Sequence, residues 1–245
     1  MKKKFISLFV CSLLTTIISC DSSSKSDEII SKDFINASRK QQQVTGYLLN
    51  TSNLKELLDF QDVDLVRFAV SFDNNEIKFN AIGVDYFGKE LITVEGFPYI
   101  DSTFDDNLKI LDTSKSNISS SNSIVDRHIL NSKTAYNYIN NWQNELSLGT
   151  NLQSLTTYNN VPFKYFSLRK EVVQDLLNIQ NISNVGLFIG VNPDNKMTTV
   201  LAAMDRDKKF IIPTVSGNFS TLTGAIYDFT TACQPDCNLN SDSLN

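Results

Sequence analysis

Two stretches of strict alternation constrain this chain more than anything else in it. Val66, Phe68, Val70 and Phe72 form one, and Val185, Leu187, Ile189 and Val191 the other. A period of two with one apolar face means a strand lying on a core. The stretches stand 119 residues apart, and their surroundings agree as well. Leu57-Leu58-Asp59-Phe60-Gln61-Asp62-Val63 matches Leu176-Leu177-Asn178-Ile179-Gln180-Asn181-Ile182. With one residue inserted in the turn, Ile82-Gly83-Val84-Asp85 falls on Ala202-Ala203-Met204-Asp205.

Each copy reads as a helix followed by a hairpin. In the first, Thr51-Ser52-Asn53 supplies capping side chains, and Leu54, Leu57 and Leu58 share one helical face. In the second, Ser167 is the expected cap, with Val173, Leu176 and Leu177 on one side. Asp73-Asn74-Asn75 and Asn192-Pro193-Asp194-Asn195 read as hairpin turns, with returning strands over 77–85 and 197–205. Further helices are expected over 27–42 and over 132–146, the latter capped by Asn131 and burying Ala135, Tyr138, Ile139 and Trp142. The expected fold class is therefore α+β: duplicated helix–helix–β-hairpin units, with the two hairpins in one antiparallel sheet covered by helices. The units would span 29–111 and 131–237. A Ser/Asn-rich linker would occupy 112–130, and a C-terminal tail 238–245.

The first twenty residues carry a different message. Lys2, Lys3 and Lys4 precede an apolar run from Phe5 to Ile18, fourteen residues long. A spanning helix needs roughly twenty, so this pattern reads as a signal peptide over 1–19. It ends in Ile17-Ile18-Ser19-Cys20, which resembles the lipobox of bacterial lipoproteins. That resemblance implies a lipid on Cys20, with palmitate as a natural label for it. Residues 20–28 would form a polar tether. The expected address is the cell envelope, at the outer membrane or cell surface rather than the inner membrane. Asp21 beside the cysteine nevertheless resembles an inner-membrane retention signal of some enterobacteria. Removing three of the 22 basic residues with the signal takes the net charge from −5 to −8, which argues against nucleic acid as a partner.

Candidate sites are few. Cys233 and Cys237, four positions apart around Pro235, are expected to form a disulfide, with redox or metal roles as the alternatives. Asp85 and Asp205 hold the same place in the two copies. They could share a cation or a proton, or each could simply close its own turn. Asp101 to Asp106 is rich enough in oxygen for weak calcium binding but lacks the spacing of a calcium loop. His128 reads as a surface or linker histidine. Gly186 and Gly190 flank Phe188 on the face opposite the Val185–Val191 stripe, where close packing is expected.

The lipobox, Ile226-Tyr227-Asp228 and the tail Cys233-Gln234-Pro235-Asp236-Cys237 resemble a group of Bacteroidota-type lipoproteins with a Cys- and Pro-containing tail. Phe166-Ser167, Gly186-Leu187 and Asp205 match that group's pattern; Arg206 and Asp207 stand where it has glycines. The group carries no assigned activity, so the resemblance adds an address and no chemistry. The expected function is a non-enzymatic, lipid-anchored module that binds a protein or glycan partner, with no cofactor and with membrane lipid held through Cys20. The alternatives are an envelope-polymer hydrolase using paired carboxylates and a thiol–disulfide carrier.

Overall fold

Asn50 ends one strand and begins a helix. Its backbone is extended, and its side chain accepts from the Ser52 N–H at 2.8 Å, so it is the N-cap one residue before the expected trio. Strand β1 (Gly46–Asn50) thus runs straight into α1 (Thr51–Asp59), whose Leu54, Leu57 and Leu58 are buried as expected. The computed structural model describes residues 44–73, 76–113, 124–148, 152–158, 161–163, 165–212, 226–228 and 232–233. The helix expected over 27–42 and the tail over 238–245 lie outside them.

After α1 come β2 (Leu65–Asp73), β3 (Glu76–Val84), β4 (Glu90–Glu95), β5 (Phe97–Tyr99) and α2 (Phe104–Thr113). The long helix α3 (Ser132–Leu148) matches its expected start, with Asn131 Oδ1 accepting from Lys133 N–H at 2.8 Å. A short helix α4 (Leu152–Leu155) and a two-stranded ribbon of β6 (Thr157–Tyr158) and β7 (Val161–Pro162) follow. The remaining elements are β8 (Tyr165–Arg169), α5 (Lys170–Leu177), β9 (Asn184–Val191), β10 (Met197–Met204), β11 (Ile226–Asp228) and β12 (Ala232–Cys233). Ser167 is therefore not a cap. It lies inside β8, and α5 starts at Lys170 after an extended Arg169 that makes no capping bond.

The architecture is α+β with two antiparallel five-stranded sheets, ordered β11-β10-β9-β1-β5 and β12-β8-β2-β3-β4. The expected single sheet is corrected here: the two hairpins fall in different sheets. Each is bordered by the strand that leads into the other's helix. Tyr47 of β1 pairs with Leu187 of β9, and Tyr165 of β8 pairs with Ala69 of β2. Alternation specifies which face of a strand is buried but not which strand lies beside it.

Main-chain bonds recur at the same 119-residue offset. Thr51 N–H donates to Ser183 C=O at 3.5 Å, and Lys170 N–H to Asp64 C=O at 3.1 Å. Helix-opening N–H groups have no partner within their helix, so each helix start is satisfied by the entrance to the other hairpin. The loops that follow the helices both turn through a left-handed residue, Asp62 (φ 66°) and Asn181 (φ 65°).

The hairpins differ in burial. Val66 and Phe68 face the core while Arg67 between them is half-buried, whereas every residue of β10 is buried. The opposite face of β9 is filled by Phe188, which stacks on Phe104 of α2 at 5.4 Å and meets Phe210 at the same centroid distance. Close packing at the glycines is also found. A Cβ on Gly190 would lie 2.9 Å from Tyr138 Cβ and 3.2 Å from its carbonyl carbon. Because a helix backbone cannot yield as a flexible side chain can, Gly190→Ala is expected to cost about 1–3 kcal/mol. Urea denaturation should show this as a lower midpoint with an unchanged slope.

Candidate functional site

Asp85 and Asp205 do close equivalent turns. Asp85 Oδ1 accepts from Phe87 N–H at 2.9 Å and Lys89 N–H at 2.8 Å; Asp205 Oδ1 accepts from Asp207 N–H at 2.8 Å and Lys209 N–H at 2.9 Å. In each, the fourth residue is left-handed, Gly88 at φ 83° and Lys208 at φ 61°. Asn192 builds the same turn, accepting from Asp194 and Lys196, with Asn195 at φ 57°. The two aspartates stand at the ends of β3 and β10, in separate sheets, and their equivalence is accounted for by turn chemistry.

One of these three turns differs in what it displays. Arg206-Asp207 and Pro193-Asp194 occupy the exposed middle positions of two of them, while the third carries Tyr86 and Phe87, 61% and 88% exposed. The two rings meet edge-on, 5.5 Å between centroids and 86° between planes. The turn is held from behind: Arg67 Nη1 donates to Gly88 C=O at 3.1 Å, and its guanidinium lies 4.5 Å from the centroid of the Tyr165 ring. Arg67 Nε and Ser167 Oγ, from residues opposed in the β2–β8 register, are buried without a hydrogen-bond partner among the described residues. The result is an exposed aromatic tip on a braced turn. Sequence reasoning missed it, although the contrast of Tyr86-Phe87 with Arg206-Asp207 is visible once the two matching stretches are aligned.

A second cluster gathers at β11. His128 is not a free linker residue, because burial and a 3.1 Å contact from Nδ1 to Asp228 C=O hold it there. Leu130 N–H donates to Ile226 C=O at 2.8 Å, and Ile129 bridges Tyr227. Residues 124–130 thus belong to the fold, as do Asp112 and Thr113 in α2, while 114–123 lie outside the described residues. Tyr227 OH donates to Asp175 Oδ2. Burial lowers the His128 pKa and raises that of Tyr138; it pushes Asp228 up to about 6.

Asp101 proves to be a brace for α2. Its Oδ1 accepts from the Thr103 N–H and hydroxyl, both at 2.8 Å; its Oδ2 accepts from Tyr99 OH at 2.7 Å and Asn107 Nδ2 at 2.9 Å. These bonds, Tyr99's foremost, hold its carboxyl down to about 2. Both oxygens are engaged in this way, so Asp101 serves as a helix-start motif within a cluster whose spacing already departs from that of a calcium loop. Among the described residues no group of three or more His, Cys, Asp or Glu gathers as a metal site.

Cys233 sits in β12 opposite Tyr165; Cys20 and Cys237 lie outside the described residues. No helix among the described residues is long and apolar enough to cross a membrane. In comparisons with known families, with characterised proteins and with solved structures, the chain matches none.

The Asp228 carboxyl yields a signed expectation. Its folded pKa of about 6 lies above the ordinary value of 3.8, so its ionisation opposes folding above pH 6 and has no effect below about pH 4. Asp228→Asn should therefore melt higher than the wild type at pH 7.5, with the gap closing by about pH 4. Comparing the two proteins at each pH isolates this carboxyl from His128, whose lowered pKa acts in the opposite direction.

Proposed function

We propose that this chain is a lipid-anchored envelope protein of a diderm bacterium, held to a membrane through Cys20, with a body that binds rather than transforms its partner. The anchoring half of this reading rests on residues 1–20: three lysines, an apolar run too short to remain as a span, and a small residue before Cys20. The binding half rests on Phe87. A phenylalanine 88% exposed on a turn does nothing for the fold, since two turns of the same geometry use polar or charged residues or proline at the middle positions. Exposed aromatics on a pre-ordered backbone are the usual anchors of recognition surfaces.

The body itself is read as an internal duplication of a strand–helix–hairpin unit in which the copies have exchanged their first strands. The recurring bonds at Thr51 and Lys170, the left-handed Asp62 and Asn181, and the matched aspartate turns support this. Cys233 and Cys237 are read as a disulfide clasp on the tail. The outer membrane or the cell surface is the address that best suits the acidic, serine-rich tether after Cys20.

Labelled palmitate tests the anchor. In the native host, wild-type protein should incorporate label and partition with detergent, while Cys20→Ala should take up none and keep its leader. Equal labelling of the two proteins, or none in either, overturns the anchor.

A further inference from the structure

We infer that the Tyr86–Phe87 turn inserts into the headgroup region of the membrane that carries the protein, and so fixes how the body lies on it. The inference deepens the binding reading above by naming the occupant of the tip. Three observations lead there. First, the aromatic pair is not required by the turn: Asp205-Arg206-Asp207-Lys208-Lys209 makes the same main-chain and Oδ1 bonds without it. Second, the tip is two neighbouring side chains on one tight turn. Two joined rings stand out from a turn whose next residues, Lys89 and Glu90, are exposed and charged. A protein interface covers about 800 Å² on each side and carries its anchors at the centre of a broad patch. A bilayer accepts a lone tip. It takes Phe into the acyl boundary, Tyr at the headgroup level, and a charged side chain in water above.

Third, the chain needs little affinity from this contact. Residues 20–43, from the anchoring cysteine to the residue before the first described one, reach at most about 86 Å when fully extended. Tethering converts insertion into an intramolecular event, for which a contact too weak to hold a free protein is sufficient. The acidic net charge points to zwitterionic rather than anionic headgroups as the surface that is met. The braces behind the turn, Arg67 to Gly88 C=O and Asp85 Oδ1 to two N–H groups, fix its main chain, so contact has only the two side chains left to order.

The test uses residues 20–245 with an N-terminal hexahistidine tag, bound to vesicles of phosphatidylcholine and phosphatidylethanolamine that contain a nickel-chelating lipid. Phe87→Trp places a reporter on the tip, and Asp207→Trp places one at the matching position of the aspartate turn in the other sheet. Trp142, the native tryptophan, is 6% exposed, and its signal is subtracted using the parent protein. On vesicles with brominated acyl chains, the reporter of Phe87→Trp should shift to the blue and lose about half its emission, as a side chain at the acyl boundary does. The reporter of Asp207→Trp should stay unchanged. Equal quenching in the two variants, or none in Phe87→Trp, overturns the inference. So does concentration-dependent self-association that Phe87→Ser abolishes, since the tip would then belong to a second copy of this chain. The nickel lipid supplies the tether, so this outcome is independent of whether palmitate reaches Cys20.

Discussion

β1 lies against β9, and β8 lies against β2, and most of the molecule follows from those two pairings. A hairpin left to itself is marginal in water. Here each gains a third strand from a distant part of the chain, and the same crossing satisfies the opening N–H of the helix that follows. Thr51 finds Ser183 and Lys170 finds Asp64, so a helix start and a sheet edge are secured by one geometric event. Breaking either pairing would expose an edge and leave helix-opening donors without partners. The two sheets, distinct in hydrogen bonding, are therefore interdependent.

Burial is shared unevenly between them. β10 is covered on both faces, and β9 receives Phe104 and Phe210 against Phe188 on the side where Gly190 admits α3. β2 keeps one face half-open, and there Arg67 stacks on Tyr165 and reaches the Gly88 carbonyl. A doubly buried hairpin has little surface left for partners. The half-open sheet is the one that carries the aromatic tip.

Much of this was legible in the residues, for reasons that differ by element. Leu54, Leu57 and Leu58 at helical spacing, and Val66 and Phe68 at strand spacing, report burial directly because periodicity records a face. Asp85 and Asp205 were found by their matched positions, and their role follows from an Asx side chain's reach to amides two and four residues on. β1 and β8 were not legible. Each is five residues long, runs into a helix without a break, and owes its strand state to a neighbour more than a hundred residues away or to a hairpin in the other half. Ser167 looked like a cap because nothing local says that β8 exists. α2 was hidden by its acids: Asp101 to Asp106 draws the eye as an oxygen-rich stretch, while Phe104, Leu108 and Leu111 share the buried side. Arg67 was visible only as an outward position, since no pattern reveals that its guanidinium braces a turn 21 residues later.

The crossed strands also have a consequence in time. Tyr47 leaves the ribosome 140 residues ahead of Leu187, its partner, and closing so long a loop is slow compared with local structure. The amino-terminal half therefore emerges with no completed sheet to lock it, and stays threadable until the second hairpin arrives.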